Sequence, residues 1–153
     1  MSGAFPRLIA GAFGLGRFPW APGTLASLAA VLVGAGLLLV SPWLLAAAAL
    51  VATLGGVWAI GAAAAGADDP GWVVIDEVAG QWIVMLALPR PALPGLVVAF
   101  LLFRALDIAK PGPIGWADRR SGALAVMGDD VIAGVIGAAL LFAARTVSPG
   151  LLD

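Results

Sequence analysis

Between Arg17 and Asp68 the chain carries no charged side chain. Two apolar runs fill that stretch, residues 24–40 and 43–65, parted at Pro42. A transmembrane helix needs about 17–25 such residues, so the second run is long enough and the first is marginal. Three more apolar segments follow, residues 72–88, 93–106 and 131–144. The third is marginal and the last two are short. The fourth is expected to continue past Arg104 and the fifth to start near Asp129, and one or both can instead lie partly buried inside the bundle. Asp68-Asp69-Pro70-Gly71 and Pro89-Arg90-Pro91 are breaks, and alanine-rich stretches such as residues 46–49 suit close helix packing. The expected fold is all-α: one domain over residues 1–153, a polytopic membrane bundle of about five apolar helices.

Composition supports this. Hydrophobic residues make up 62% and charged residues 11%, against about 25% charged in a soluble domain. That is too little charge to cover a water-facing surface. The net charge of −1 gives no field that would attract nucleic acid. Cys, His and Tyr are all absent. Thiol nucleophiles, zinc-thiolate sites, disulfides, Ser-His-Asp triads and His-ligated metals are excluded. Chemistry falls to Asp, Glu, Lys, Arg, Ser, Thr or a bound metal. No cleavable signal peptide or lipidation motif is expected.

With five spans and the N-terminus inside, the inner side holds Arg7, Arg17, Arg104, Lys110, Arg119 and Arg120. The outer side holds Arg90 and Arg145. Six basic residues against two favour the N-in orientation. Nearly all charge then converges on the inner face, with Arg90, Arg145 and Asp153 as exceptions. Asp76, counted four residues into its helix, would lie about 6 Å below that surface.

Asp76 and Glu77 interrupt an apolar run, where carboxylates are expensive to bury and functional by default. Asp129-Asp130 could supply a second pair from another helix. Oxygen-only ligands suit Mg²⁺, which combines few carboxylates with water and phosphate oxygens. Adjacent helical residues point about 100° apart, so each pair is expected to split its roles; Glu77 and Gln81 share a face. The plainer alternatives are a salt bridge from Asp76-Glu77 to Arg104 or Arg119, a helix cap at Asp129-Asp130, and a solvated turn at Asp68-Asp69.

Arg104, Asp107 and Lys110 fall at i, i+3 and i+6, close to one helical stripe, before Pro111 and Pro113. Lys110, Arg119 and Arg120 share one connection. Guanidinium forks and an ammonium are what phosphate recognition asks for, although flanking charge at a membrane surface gives the same pattern. Residues 13–24, Phe-Gly-Leu-Gly-Arg-Phe-Pro-Trp-Ala-Pro-Gly-Thr, place glycines before a helix start. Thr24 there either caps the helix or meets phosphate. Acids for a metal, bases for an anion and a lipid-facing fold together indicate a membrane phosphoryl-transfer or phosphate-ester enzyme. A small cation or proton transporter is the alternative, and it would need acids spread through the membrane depth.

Residues 103–119, with Arg104, Asp107, Lys110, Pro111 and Pro113, followed by Met127-Gly-Asp-Asp-Val-Ile-Ala-Gly134, resemble the bacterial phosphatidylglycerophosphatase A family. Asp69 with Val74-Ile-Asp-Glu77 and Gly80 is similar to its Asp…Asp-Glu segment. Phe13-Gly-Leu-Gly16, Pro22-Gly-Thr24 and Ser27-Leu28 are similar to its N-terminal signature. The blocks are in order and bracket residues 13–134. Two positions depart from the pattern: residues 120–126 carry one glycine where the family often has a Gly-rich stretch, and Gly115 stands where it often has a basic residue.

The resemblance implies Mg²⁺-dependent removal of the terminal phosphate of phosphatidylglycerophosphate, by a multi-pass enzyme of the bacterial inner membrane. It implies functional roles for Thr24, Asp69, Asp76, Glu77, Arg104, Asp107, Lys110, Arg119, Asp129 and Asp130. Asp76, Glu77, Asp129 and Asp130, with Asp69, are expected to hold Mg²⁺ and position water on the cytoplasmic face. Arg104, Lys110 and Arg119, with Thr24, are expected to bind the phosphate. Asp107 would orient Lys110 or ligate metal. The expected partners are a phospholipid substrate and the bilayer, without nucleic acid; no oligomeric state is read from the sequence.

Overall fold

A computed structural model describes residues 3–63 and 70–153, and every regular element among them is helical. The order is α1 (Ala4–Ala10), a 3₁₀ segment (Ala12–Arg17), α2 (Pro22–Val40), α3 (Pro42–Ala62), α4 (Ile75–Met85), α5 (Leu93–Ala109), α6 (Pro113–Asp118) and α7 (Ala123–Val147). Proline in the first turn opens α2, α3, α5 and α6, where its missing N–H costs nothing. Ser41 alone separates α2 from α3, and its Oγ accepts from Trp43 N at 3.1 Å. Lys110 ends α5 in a left-handed conformation, φ 47°.

Three of the five expected segments, as α2, α3 and α7, are long and apolar enough to cross a membrane. The third is shorter than its apolar run: α4 has 11 residues, about 16 Å of rise against a hydrocarbon thickness of about 30 Å. Residues 72–74 stay out of the helix, and Val74 N donates instead to Ala10 O at 3.0 Å. Asp76 therefore sits in the first turn of α4 and not a full turn inside it. The fifth segment is longer than expected. Gly122, at φ 99°, ends the preceding connection, and the helix-forming run Ala-Leu-Ala-Val-Met starts α7 at Ala123. Asp129 and Asp130 thus lie in the second turn and do not cap the helix.

α4 is the hub, packed against α2, α3, α5 and α7. Its buried face joins Ala26, Ile60 and Ala79 on one side to Val84, Phe103 and Ala133 on the other. Leu32, Leu39, Val51, Leu54 and Val135 point outward and are more than half exposed, which lipid tolerates and water penalises. At one end of the bundle Arg145 Nη1 donates to Ala87 O at 2.6 Å and Arg90 faces Asp153 at 3.6 Å. Asp76, Glu77, Arg104, Lys110 and Asp130 gather at the opposite end.

Candidate active site

Two glycines set the geometry. A Cβ built on Gly80 would fall 2.6 Å from Asp130 O, and one on Gly134 would fall 2.7 Å from Gly80 O. Only helices without side chains at these points can approach so closely. The α4–α7 crossing brings the first turn of α4 beside the second turn of α7. Carboxylate oxygens of Asp76, Glu77 and Asp130 consequently lie within 4.8 Å of one another. Asp76 and Asp130 are buried and Glu77 is partly buried. Glu77 Oε2 and Asp130 Oδ1 have no hydrogen-bond partner among the described residues.

Three carboxylates at this spacing repel one another, and a cation among them would offset that repulsion. Their donors are hard oxygens, and lone pairs stand unused at two of them. The set fits an oxygen-loving divalent cation such as Mg²⁺.

The basic side chains form the adjoining wall. Arg104 on α5 pairs through Nη1 with Asp107 one turn on, and its Nη2 donates to Thr24 Oγ1 at 3.3 Å. Gly23 lets two side chains converge: its Cβ would meet Glu77 Oε1 at 2.1 Å and Arg104 Nη1 at 3.6 Å. Lys110 Nζ reaches Asp129 at 2.5 Å, Asp118 at 3.0 Å and Asp107 at 3.7 Å. Partial burial works against its charge, but the bonds to Asp129 and Asp118 outweigh this and raise its pKa above the ordinary lysine range.

The adjacent acids of α7 do point apart, Asp129 to Lys110 and Asp130 into the carboxylate cluster. Those of α4 do not split, since Asp76 and Glu77 both join the cluster. Thr24 is the third residue of α2 and does not cap it; Ala21, at φ 47°, holds the cap position. Arg119 is exposed, with no ion pair among the described residues. Beside it, Arg120 stacks over Trp116 at 3.9 Å. Gly16 serves packing: its Cβ would strike Trp72 O at 1.8 Å. Asp69 lies outside the described residues.

Sequence reasoning passed over one member, Asp118, and placed another, Gln81, on the Glu77 face without giving it a role. Asp118 holds Lys110, and its signal was its place in the same connection. Gln81 is fully buried, one turn from Glu77, and neither of its amide atoms has a partner among the described residues. The i,i+4 spacing from Glu77 placed it there in the sequence.

Known proteins extend the picture. Phosphatidylglycerophosphatase A of Escherichia coli K12 is 41% identical over 89% of this chain and 81% of its own length. Phosphatidylglycerophosphatase A of Haemophilus influenzae is 35% identical over 90% of this chain and 86% of its own. A Bacteroides thetaiotaomicron protein with the provisional name phosphatidylinositol-3-phosphatase is 37% identical over 93% and 94%. No solved structure matches the chain significantly. The family model described as Phosphatidylglycerophosphatase A matches residues 8–145. That match runs from α1 into the last turn of α7 and takes in every helix that lends a side chain to the cluster: the chain belongs to the phosphatidylglycerophosphatase A family.

Proposed function

We propose that this chain hydrolyses the terminal phosphate monoester of phosphatidylglycerophosphate, giving phosphatidylglycerol and inorganic phosphate in phospholipid biosynthesis. The observation that carries the reading is the carboxylate cluster of Asp76, Glu77 and Asp130 beside Arg104, with Gly23 open between Glu77 and Arg104. The names of two relatives support it.

Asp76, Glu77 and Asp130 would hold Mg²⁺. Bound there, the ion supplies Lewis-acid polarisation of the phosphoryl group and lowers the pKa of water. The chain's own residues do the rest. Arg104 and Lys110 take the phosphate oxygens, with Thr24 steadying the Arg104 fork and Arg119 at the exposed rim. An ammonium held above its ordinary range binds phosphate well and donates a proton poorly, so Lys110 is a binder. Asp107 and Asp129 keep Arg104 and Lys110 in place. Water oxygen bonds to phosphorus as the bond to the glycerol oxygen breaks. One water proton passes to a carboxylate of the cluster and from there to the leaving glycerol oxygen, which departs as the alcohol.

The inner bacterial membrane, with the site on the cytoplasmic side, fits the six-to-two distribution of basic residues. The site's side chains come from the end of the bundle opposite Arg90 and Arg145. A second reading, a phosphatase for an inositol headgroup, draws on the name of the Bacteroides relative. The purified protein with Mg²⁺, offered phosphatidylglycerophosphate, phosphatidic acid and phosphatidylinositol 3-phosphate, separates the readings. Preference for the first by at least about tenfold in kcat/KM is expected. Equal turnover of all three would remove the headgroup assignment.

A further inference from the structure

On the opposite face of α4 lies an apolar groove of about 510 Å³. Its walls are small residues, Ala29 and Ala30 of α2 facing Ala48, Ala52 and Gly55 of α3. Its floor is Ile75, Val78 and Trp82, at i, i+3 and i+7 on α4. Ala48 to Gly56 of α3 gives the groove a length of about 12 Å. Trp82 leaves no polar demand inside, because its Nε1 already donates to Ala30 O at 2.8 Å.

The mouth of the groove is different in character. Phe13 lines the groove and also an adjoining cavity of about 360 Å³, whose other walls include Arg7, Arg17 and Trp72. Both arginines are exposed, neither has an ion-pair partner among the described residues, and no described acid lines that cavity. Phe13 is held there at φ 58° and Ala12 at φ 45°. Left-handed backbone at two residues that are not glycine is strain of the kind that persists where a ligand is met.

We propose that this groove is a second lipid site, separate from the catalytic one. It takes an acyl chain of an anionic diacyl phospholipid whose phosphate lies between Arg7 and Arg17. The charge complementarity at the mouth selects an anionic headgroup, and the apolar floor selects a chain. The occupant would brace α4 from the face opposite Glu77, so the surrounding bilayer would steady the helix that carries Asp76 and Glu77.

The test uses the full-length protein in phosphatidylcholine nanodiscs containing a minor share of phosphatidylserine. Phosphatidylserine is neither substrate nor product of the proposed reaction, so the catalytic site adds nothing to the signal. Retained lipid is counted by native mass spectrometry. Two variants probe the two ends. Gly55→Leu fills the groove, and its new Cβ meets nothing within 4 Å. Arg7→Gln/Arg17→Gln removes the headgroup contacts. The wild type is expected to retain phosphatidylserine in preference to phosphatidylcholine, and each variant, with helical content unchanged, to lose that retention by about tenfold. Equal retention of the two lipids by the wild type would overturn the proposal, as would undiminished phosphatidylserine retention in both variants.

Discussion

Gly80 on α4 and Gly134 on α7 meet backbone to backbone, with room for a Cβ at neither. Asp130 lies one turn before Gly134, and Asp76 and Glu77 lie just before Gly80, so this contact sets the spacing of the carboxylate cluster. Gly134→Ala should push the helices apart at a cost of about 1–3 kcal/mol and lower kcat by about 100-fold. Gly36→Ala, where a Cβ meets nothing within 4 Å, is the control and should leave turnover intact. Equal activity of the two variants would separate the glycine contact from catalysis.

Glu77 is the acid with most at stake, because its Oε1 occupies the space a side chain at Gly23 would need. Glu77→Gln should reduce kcat by about 1000-fold or more, the loss expected when a metal-holding charge disappears. Gly23→Ala should act in the same direction more weakly, by displacing the Glu77 carboxylate. Chelation should abolish turnover and added Mg²⁺ restore it. Mn²⁺ binding followed by electron paramagnetic resonance gives a readout besides activity. If Glu77→Gln binds Mn²⁺ as tightly as the wild type, Glu77 is not a ligand.

Much of this was legible in the chain. The absence of charge from Arg17 to Asp68 and the scarcity of charge elsewhere already required helices in lipid. Asp76, Glu77, Asp129 and Asp130 stood out because carboxylates beside apolar runs are expensive to bury. What stayed hidden depended on tertiary contact. The start of α4 is fixed by a hydrogen bond from Val74 to Ala10, and no local preference announces it. Likewise, helical spacing predicted that Asp129 and Asp130 would split their roles, but only the position of Lys110, itself left-handed at the end of α5, shows that Asp129 is the one it takes. Short runs also mislead by length: apolarity marks burial in protein as readily as burial in lipid, which is why α4 reads as a span and folds as a hub.

The pairing of Lys110 with Asp129 yields a test of role. If Asp129 acts through Lys110, Lys110→Gln and the double variant Lys110→Gln/Asp129→Asn should raise KM for the lipid by similar factors, about tenfold, in place of multiplying. Asp129→Asn alone should leave the Mg²⁺ concentration for half-maximal activity unchanged. A clear rise in that concentration would return Asp129 to the metal ligands.

Direct attack by water is the expected route, for a reason in the placement of the acids. Asp107 and Asp129 are committed to Arg104 and Lys110, and Asp76, Glu77 and Asp130 lie close enough together to hold the proposed cation. A carboxylate nucleophile would have to leave one of these occupations and carry a phosphoryl group in the crowded α4–α7 crossing. Single-turnover reactions with substrate labelled in the terminal phosphate, quenched in acid, should therefore show label passing straight to inorganic phosphate with none on protein. Acid-precipitable label that chases into phosphate, and that disappears in one Asp→Asn variant, would establish an aspartyl-phosphate and name its residue.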